Sequence, residues 1–178
     1  RYNFGLMAQT IGLIEEAIKQ YTITIDNDKK NWQAHFNLYI LYIKSKNYHK
    51  ALLLIDSVLK LKENYQPALR DKALVLNYLN KPDEGIQYVK KSIAINKVDY
   101  IAINILGLIY LNMKLYDKAI LEFEKAIEIN HKYIPSYNNL STCYSKKFNI
   151  NKTEEILLKA LTIDPKSLET INNIANVY

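Results

Sequence analysis

Residues of like character recur every 34 positions along the whole chain, with no insertion or deletion. Tyr42, Leu76, Tyr110 and Tyr144 share one position of this register. Ala17, Ala51, Gly85 and Ala119 share a second, all small, with Thr153 next in line. Tyr21, Ile55, Val89, Phe123 and Leu157 form a third, all apolar or aromatic. Phe4, Leu38, Leu106, Leu140 and Ile174 form a fourth, broken by Lys72. Gly5, Ala73, Gly107, Ser141 and Ala175 form a fifth, small apart from Tyr39. Chance does not hold five columns in phase, so the chain is built from a copied structural unit. The units fall at 32–65, 66–99, 100–133 and 134–167, with a partial unit at 1–31 and one further helix at 168–178.

Within each unit, apolar residues recur at i, i+3, i+4 and i+7, the period of a helix. A polar break splits each into two helical stretches: Ser45-Lys46-Asn47, Asn80-Lys81, Asn112-Met113-Lys114 and Lys147-Phe148-Asn149. Pro67 and Pro135 stand where a first helix starts and Pro82 where a second starts. Proline is tolerated there because its missing N–H had no partner in the first turn. Sustained period-two alternation, the mark of strands, is lacking.

Leu106-Gly107, Tyr110, Tyr116, Ala119, Phe123 and Ala126 together resemble the tetratricopeptide repeat, and Phe4-Gly5, Ala17 and Pro165 extend the match. The resemblance covers the whole chain. It implies an all-α fold, a right-handed α-solenoid of helix–turn–helix repeats in a single array. Departures exist: the tryptophan position holds His35, Leu69, Ile103, Tyr137 and Ile171, and the unit from Gln66 carries Lys72 and Ser92 in place of leucine and alanine. That unit is expected to pack less well than its neighbours.

Gly107 costs its helix about 1 kcal/mol relative to alanine. The expected return is a close crossing of the first helix over its partner, with Gly5, Ala73, Ser141 and Ala175 on the same contact line and Ala119 and Ala126 opposite. Alanine at position 107 is expected to be tolerated better than leucine, and Tyr39 to force a local adjustment. Leu168, Ile171, Ile174 and Ala175 are expected to pack the last helix back onto the preceding pair.

The chain has little to offer catalysis. His35, His49 and His131 lie in different repeats, and no metalloprotease, Walker or nucleophile-elbow motif occurs. Glu122, Glu124 and Glu128 fall on a partly exposed helix face, and metal ligation needs tighter clusters. Cys143 is the lone cysteine, best read as a buried space-filler, and no internal disulfide can form. The net charge of +6 comes almost wholly from lysines spread along the chain. A nucleic-acid partner is therefore not expected, nor is a membrane partner, since no apolar run approaches the ~18 residues of a span. No cofactor or metal is expected.

The resemblance implies that the first helices line a concave groove. By register its residues are Asn3, Asn37, Asp71, Ile105, Asn139 and Asn173, with Phe36, Arg70, Asn104 and Asn138 beside them and Ile40, Leu74 and Leu108 one turn on. Such a surface is apolar and aromatic toward the start and rich in asparagine toward the end. Some family members grip a C-terminal carboxylate through cationic side chains, but those places here hold Phe36, Ile40, Asp71, Ile101 and Ile105 in the register from Trp32 and Arg70, Leu74, Ile105, Pro135 and Asn139 in that from Gln66, with the cationic pair in neither. The expected function is a non-catalytic protein–protein interaction scaffold whose groove binds an extended peptide or a partner helix, with asparagine amides pairing to its backbone. One alternative is the substrate-recruiting arm of a larger enzyme such as a glycosyltransferase, and a weaker one is an RNA-binding helical repeat. The chain opens on Arg1, so a piece of a longer protein is expected, with an intracellular, cytoplasmic setting. Self-association through the terminal helix is a further expectation.

Overall fold

The computed structural model describes residues 1–177 as helices and short turns. The helices are α1 (Tyr2–Thr10), α2 (Ile14–Asn27), α3 (Trp32–Lys44), α4 (Tyr48–Leu61), α5 (Gln66–Tyr78), α6 (Pro82–Ile95), α7 (Tyr100–Asn112), α8 (Tyr116–Ile129), α9 (Ile134–Lys146), α10 (Ile150–Ile163) and α11 (Leu168–Ala175). First helices thus open at positions 32, 66, 100, 134 and 168, where the sequence placed its repeat starts. Among the described residues no helix is long and apolar enough to cross a membrane. The chain divides into two compact units, Arg1–Tyr88 and the part from Val89 onward, with the boundary inside α6.

In the first unit α1 packs on α2, α2 on α3, α3 on α4 and α4 on α5. In the second, α7 packs on α8, α8 on α9, α9 on α10 and α10 on α11. The closest approach within a helix pair follows one rule of size. A Cβ added to Gly5 would lie 2.7 Å from the Tyr21 ring, and one added to Gly107 would lie 2.6 Å from the Phe123 ring. Glycine therefore faces the two aromatics of the third column. Where the small residue is replaced by Tyr39, the opposing residue shrinks to Ile55, and both are buried in one cluster. That exchange is the local adjustment Tyr39 demands.

Every turn from a first helix to a second is closed in the same way. Gly12, Lys46, Asn80, Lys114 and Phe148, spaced by 34, all have φ between 57° and 82°. The next residue's N–H reaches back to the helix: Leu13 to Ala8 O, Asn47 to Tyr42 O, Lys81 to Leu76 O, Leu115 to Tyr110 O and Asn149 to Tyr144 O, at 2.8–2.9 Å. This left-handed closure satisfies carbonyls left open at the helix end. Glycine takes it freely at Gly12, whereas the other four residues carry a backbone cost.

First-helix starts alternate between two devices. Asn31, Asp99 and Ser167 cap α3, α7 and α11 with side-chain oxygens. Tyr65 and Tyr133 hold the same place before α5 and α9 without a cap. Their rings instead meet Trp32 and Tyr100, each edge-on at 4.9 Å. Such contacts contribute about 0.5–1.5 kcal/mol beyond area burial.

One expectation needs correction, and one departure from the register finds a partner. Lys72, in the place of leucine, is paired and largely covered. Its ammonium sits 2.6 Å from Asp56 Oδ1 and 3.9 Å from the centre of the Tyr88 ring, and its side chain is only 13% exposed. Burial works against the charge, but the bonds to Asp56 and Tyr88 outweigh it and hold the pKa above the usual lysine value. The last helix packs otherwise than expected: Leu168 is 76% and Ile171 41% exposed, Ala175 is exposed, and Thr170 is the fully buried residue of α11. Tyr178, the end of the expected helix, lies outside the described residues.

Alanine at position 107, though smaller than leucine, is still not accommodated freely, because even its Cβ meets the buried Phe123 ring. Gly107→Ala should cost about 1–3 kcal/mol by overpacking. The same substitution in a Phe123→Leu background should cost much less, since Ser141 and Leu157 hold these two places in the next repeat. Urea melts of the four proteins in this cycle measure the coupling. Strict additivity would show that the two residues do not share the crossing.

Candidate functional site

The first helices of each unit carry the residues that the register assigns to a binding face. In the first unit, Asn3 on α1 is exposed, and Phe36, Asn37 and Ile40 on α3 and Arg70, Asp71 and Leu74 on α5 are half-buried. Phe36 lies 5.6 Å from the Tyr39 ring and 5.5 Å from Tyr65, which extends the Trp32–Tyr65 contact into an aromatic cluster. Arg70 Nε donates to Asp71 Oδ1 at 2.9 Å, so these two charges stand as a pair. Asn37 Nδ2 donates to the Tyr2 hydroxyl at 2.9 Å and bridges α3 to α1. Beneath it, burial above all and the neighbouring Tyr2 push the Tyr21 phenol up to about 12, against the opposing pull of Asn37.

In the second unit the asparagines assigned to the groove by register fall in two sets, one buried and one half-buried. Asn104 is 5% exposed and Asn138 2%, and Ile105 is buried too. Leu108, Asn139 and Asn173 are half-buried. Asn104 Oδ1 accepts from Ser136 Oγ at 3.0 Å and from Asn139 Nδ2 at 3.1 Å, which joins α7 to α9. Asn138 Oδ1 accepts from Thr170 Oγ1 at 3.0 Å, which joins α9 to α11. Thr170 in turn lies 2.8 Å from Ser167 Oγ, the cap of its own helix. Asn138 Nδ2 is buried and meets no acceptor among the described residues.

The two clips are the same contact moved on by one repeat, since 104 and 138, and likewise 136 and 170, are 34 apart. The positions that hold Asn104 and Asn138 hold Tyr2, Phe36 and Arg70 in earlier repeats. Those that hold Ser136 and Thr170 hold Ala34, Ala68 and Ala102. A hydroxyl thus appears in the second column where asparagine stands in the first. Reading each column alone misses Ser136 and Thr170; reading the two together finds them.

The reactive groups of the described residues suit packing. Burial pushes the Cys143 thiol up to about 12, which keeps it a neutral apolar filler. No group of three or more His, Cys, Asp or Glu side chains among the described residues is placed to hold a metal ion. What the face offers is apolar and aromatic area in the first unit and a hydrogen-bonded amide network in the second.

The helix pairs, their shared turn closure and the small-residue crossings define a tetratricopeptide repeat fold. The chain belongs to the tetratricopeptide repeat family, matching over residues 37–167 the family described as Psidin, N-terminal TPR repeats region. Among curated proteins it is similar to the N-terminal acetyltransferase A complex auxiliary subunit NAA15 of Arabidopsis thaliana, with 26% identity over 132 residues. That stretch is 72% of this chain but 15% of the relative. It is also similar to the TPR repeat-containing protein MJ1345 of Methanocaldococcus jannaschii, with 34% identity over 82 residues, 46% of this chain and 24% of that protein. The chain therefore spans only a small part of these relatives' lengths. Among solved structures, PilW, a type IV pilus biogenesis factor, superposes with a TM-score of 0.85 at 15% identity, over 99% of this chain and 88% of that one. YrrB, described as a TPR protein with an unusual peptide-binding site, gives 0.70 at 21% identity, over 96% and 88%. At these identities the two structures establish the fold, an α-solenoid of helical repeats.

If Asn104 is a structural clip, Asn104→Ala should lower stability by about 1–3 kcal/mol, because the Ser136 hydroxyl and the Asn139 amide lose their acceptor. Adding Ser136→Ala should then cost little more. Thermal melts of both variants test this, and an unchanged melting temperature for Asn104→Ala would place that residue outside the network.

Proposed function

We propose that this chain is a protein-interaction scaffold without chemistry of its own, and that its first-helix face binds an extended peptide or a partner helix. The observation that carries the reading is the run of half-buried side chains on successive first helices of the first unit. Ile40 and Leu74 stand 34 residues apart on α3 and α5, and Leu6 holds the same place on α1, where it is exposed. Phe36 adds an aromatic surface beside them. Partly covered apolar side chains at fixed steps supply anchoring pockets at low ordering cost, because neighbouring contacts already hold them. In the second unit Leu108 continues the register, and Asn139 and Asn173 remain half-buried at its edge. Buried Asn104, Asn138 and Ile105 support the face from beneath. A setting inside the cell suits the lone, buried thiol.

A second reading makes the chain a recruiting arm of an enzyme complex. It is favoured by the similarity to NAA15, an auxiliary subunit of an N-terminal acetyltransferase complex. In that reading the same face holds a catalytic partner. Co-purification of an acetyltransferase subunit with the full-length protein would distinguish it from a free-standing scaffold.

The first reading is tested with peptides selected on the immobilised protein from a random library. Ile40→Ala combined with Leu74→Ala should weaken their binding by about tenfold or more, as expected for loss of two apolar anchors. Circular dichroism should show the double variant folded. Unchanged affinity in a folded variant would move the binding surface elsewhere.

A further inference from the structure

The turn closures of the second unit place one side chain where the fold gains nothing from it. Phe148 holds the left-handed position of the α9–α10 turn, with φ 57°, and is 92% exposed. The equivalent positions carry Lys46, Asn80 and Lys114, which are polar and at home in water. A phenylalanine there bears a backbone cost and leaves its whole ring in solvent. Ile150, two residues on, is exposed as well. The neighbouring α7–α8 turn adds Leu115, also exposed. The two turns are tied together by an ion pair between Lys147 and Asp117.

Cations surround this apolar tip. Lys114, Lys118 and Lys146 are exposed on the same two turns, Asp117 there is already paired with Lys147, and Lys152 shares a groove with Glu124 and Glu155. Lys118 and Lys152 lie over the rings of Tyr110 and Tyr144, at 5.7 and 5.4 Å from the ring centres.

We propose that this double turn docks on an anionic lipid surface, with Phe148 and Ile150 entering the headgroup layer and the lysines meeting lipid phosphates and carboxylates. A chain with no spanning run can still rest on a bilayer in this way. Lysines beside an inserted apolar side chain are attracted to the negative surface potential of anionic lipids. A bilayer is favoured over an acidic protein because the tip projects: a protein would need a matching pocket for an isolated ring, and a fluid interior needs none. The proposal is independent of peptide binding on the first-helix face.

The test is sedimentation of the intact chain with vesicles of phosphatidylcholine alone or mixed with phosphatidylserine. Wild type should bind the mixed vesicles, and raised salt should weaken that binding. Phe148→Asn keeps a residue that suits the turn, as Asn80 does in its own repeat, so its melting temperature should equal or exceed that of wild type. Its vesicle affinity should fall by at least about fivefold. Lys114→Ala with Lys146→Ala should weaken binding to a similar degree. No binding to the mixed vesicles overturns the proposal, as does equal binding by wild type and Phe148→Asn. Retention on a soluble polyanion without vesicle binding would assign the lysines to a different acidic partner and overturn it too.

Discussion

The close crossing of a first helix over its own second helix is the constraint on which the rest depends. Glycine at positions 5 and 107 lets the Tyr21 and Phe123 rings lie against the backbone of the first helix. Those rings are fully buried and belong to the largest side chains of the core. A helix pair fixed this way repeats at a constant step of 34 residues, and the first helices then present equivalent residues at equivalent places. Within each unit the proposed face follows from that repetition, because stacked helix pairs offer an extended surface instead of a pocket.

Between repeats, different chemistry does the joining. The first unit uses rings, with Trp32, Phe36 and Tyr65 in contact and Tyr2 bonded to Asn37. It also accommodates an ion pair between Lys72 and Asp56 in a place where the register has leucine. The second unit uses hydroxyl–amide clips from Ser136 to Asn104 and from Thr170 to Asn138. Buried amides with paired oxygens fix geometry well but punish any loss of a partner. The groups that remain partly open in the first unit are mainly apolar, and this is why its face is the better candidate for anchoring a ligand.

Much of this was legible in the sequence. Helix starts at Trp32, Gln66, Tyr100, Ile134 and Leu168 follow from the register, since periodic burial leaves a strong trace in residue type. The turns at Lys46, Asn80, Lys114 and Phe148 were legible as polar breaks, but not their left-handed closure, because no glycine announces it there. Lys72 read as a defect because its partner Asp56 stands on a different helix and in a different repeat. The burial of Asn104 and Asn138 was not legible, because polar residues beside a register-defined face look available until their neighbours are in place. Their partners, Ser136 and Thr170, are visible only as a change shared by two columns.

The most direct measurement is hydrogen exchange of the side-chain amide protons of Asn37 and Asn139, resolved by NMR on the uniformly labelled protein. Each Nδ2 donates across a repeat boundary, to Tyr2 and to Asn104, so both amides should exchange more slowly than that of exposed Asn3. Exchange at the same rate as Asn3 would contradict the account, because the asparagines would then be free ligand groups and not the joints between repeats.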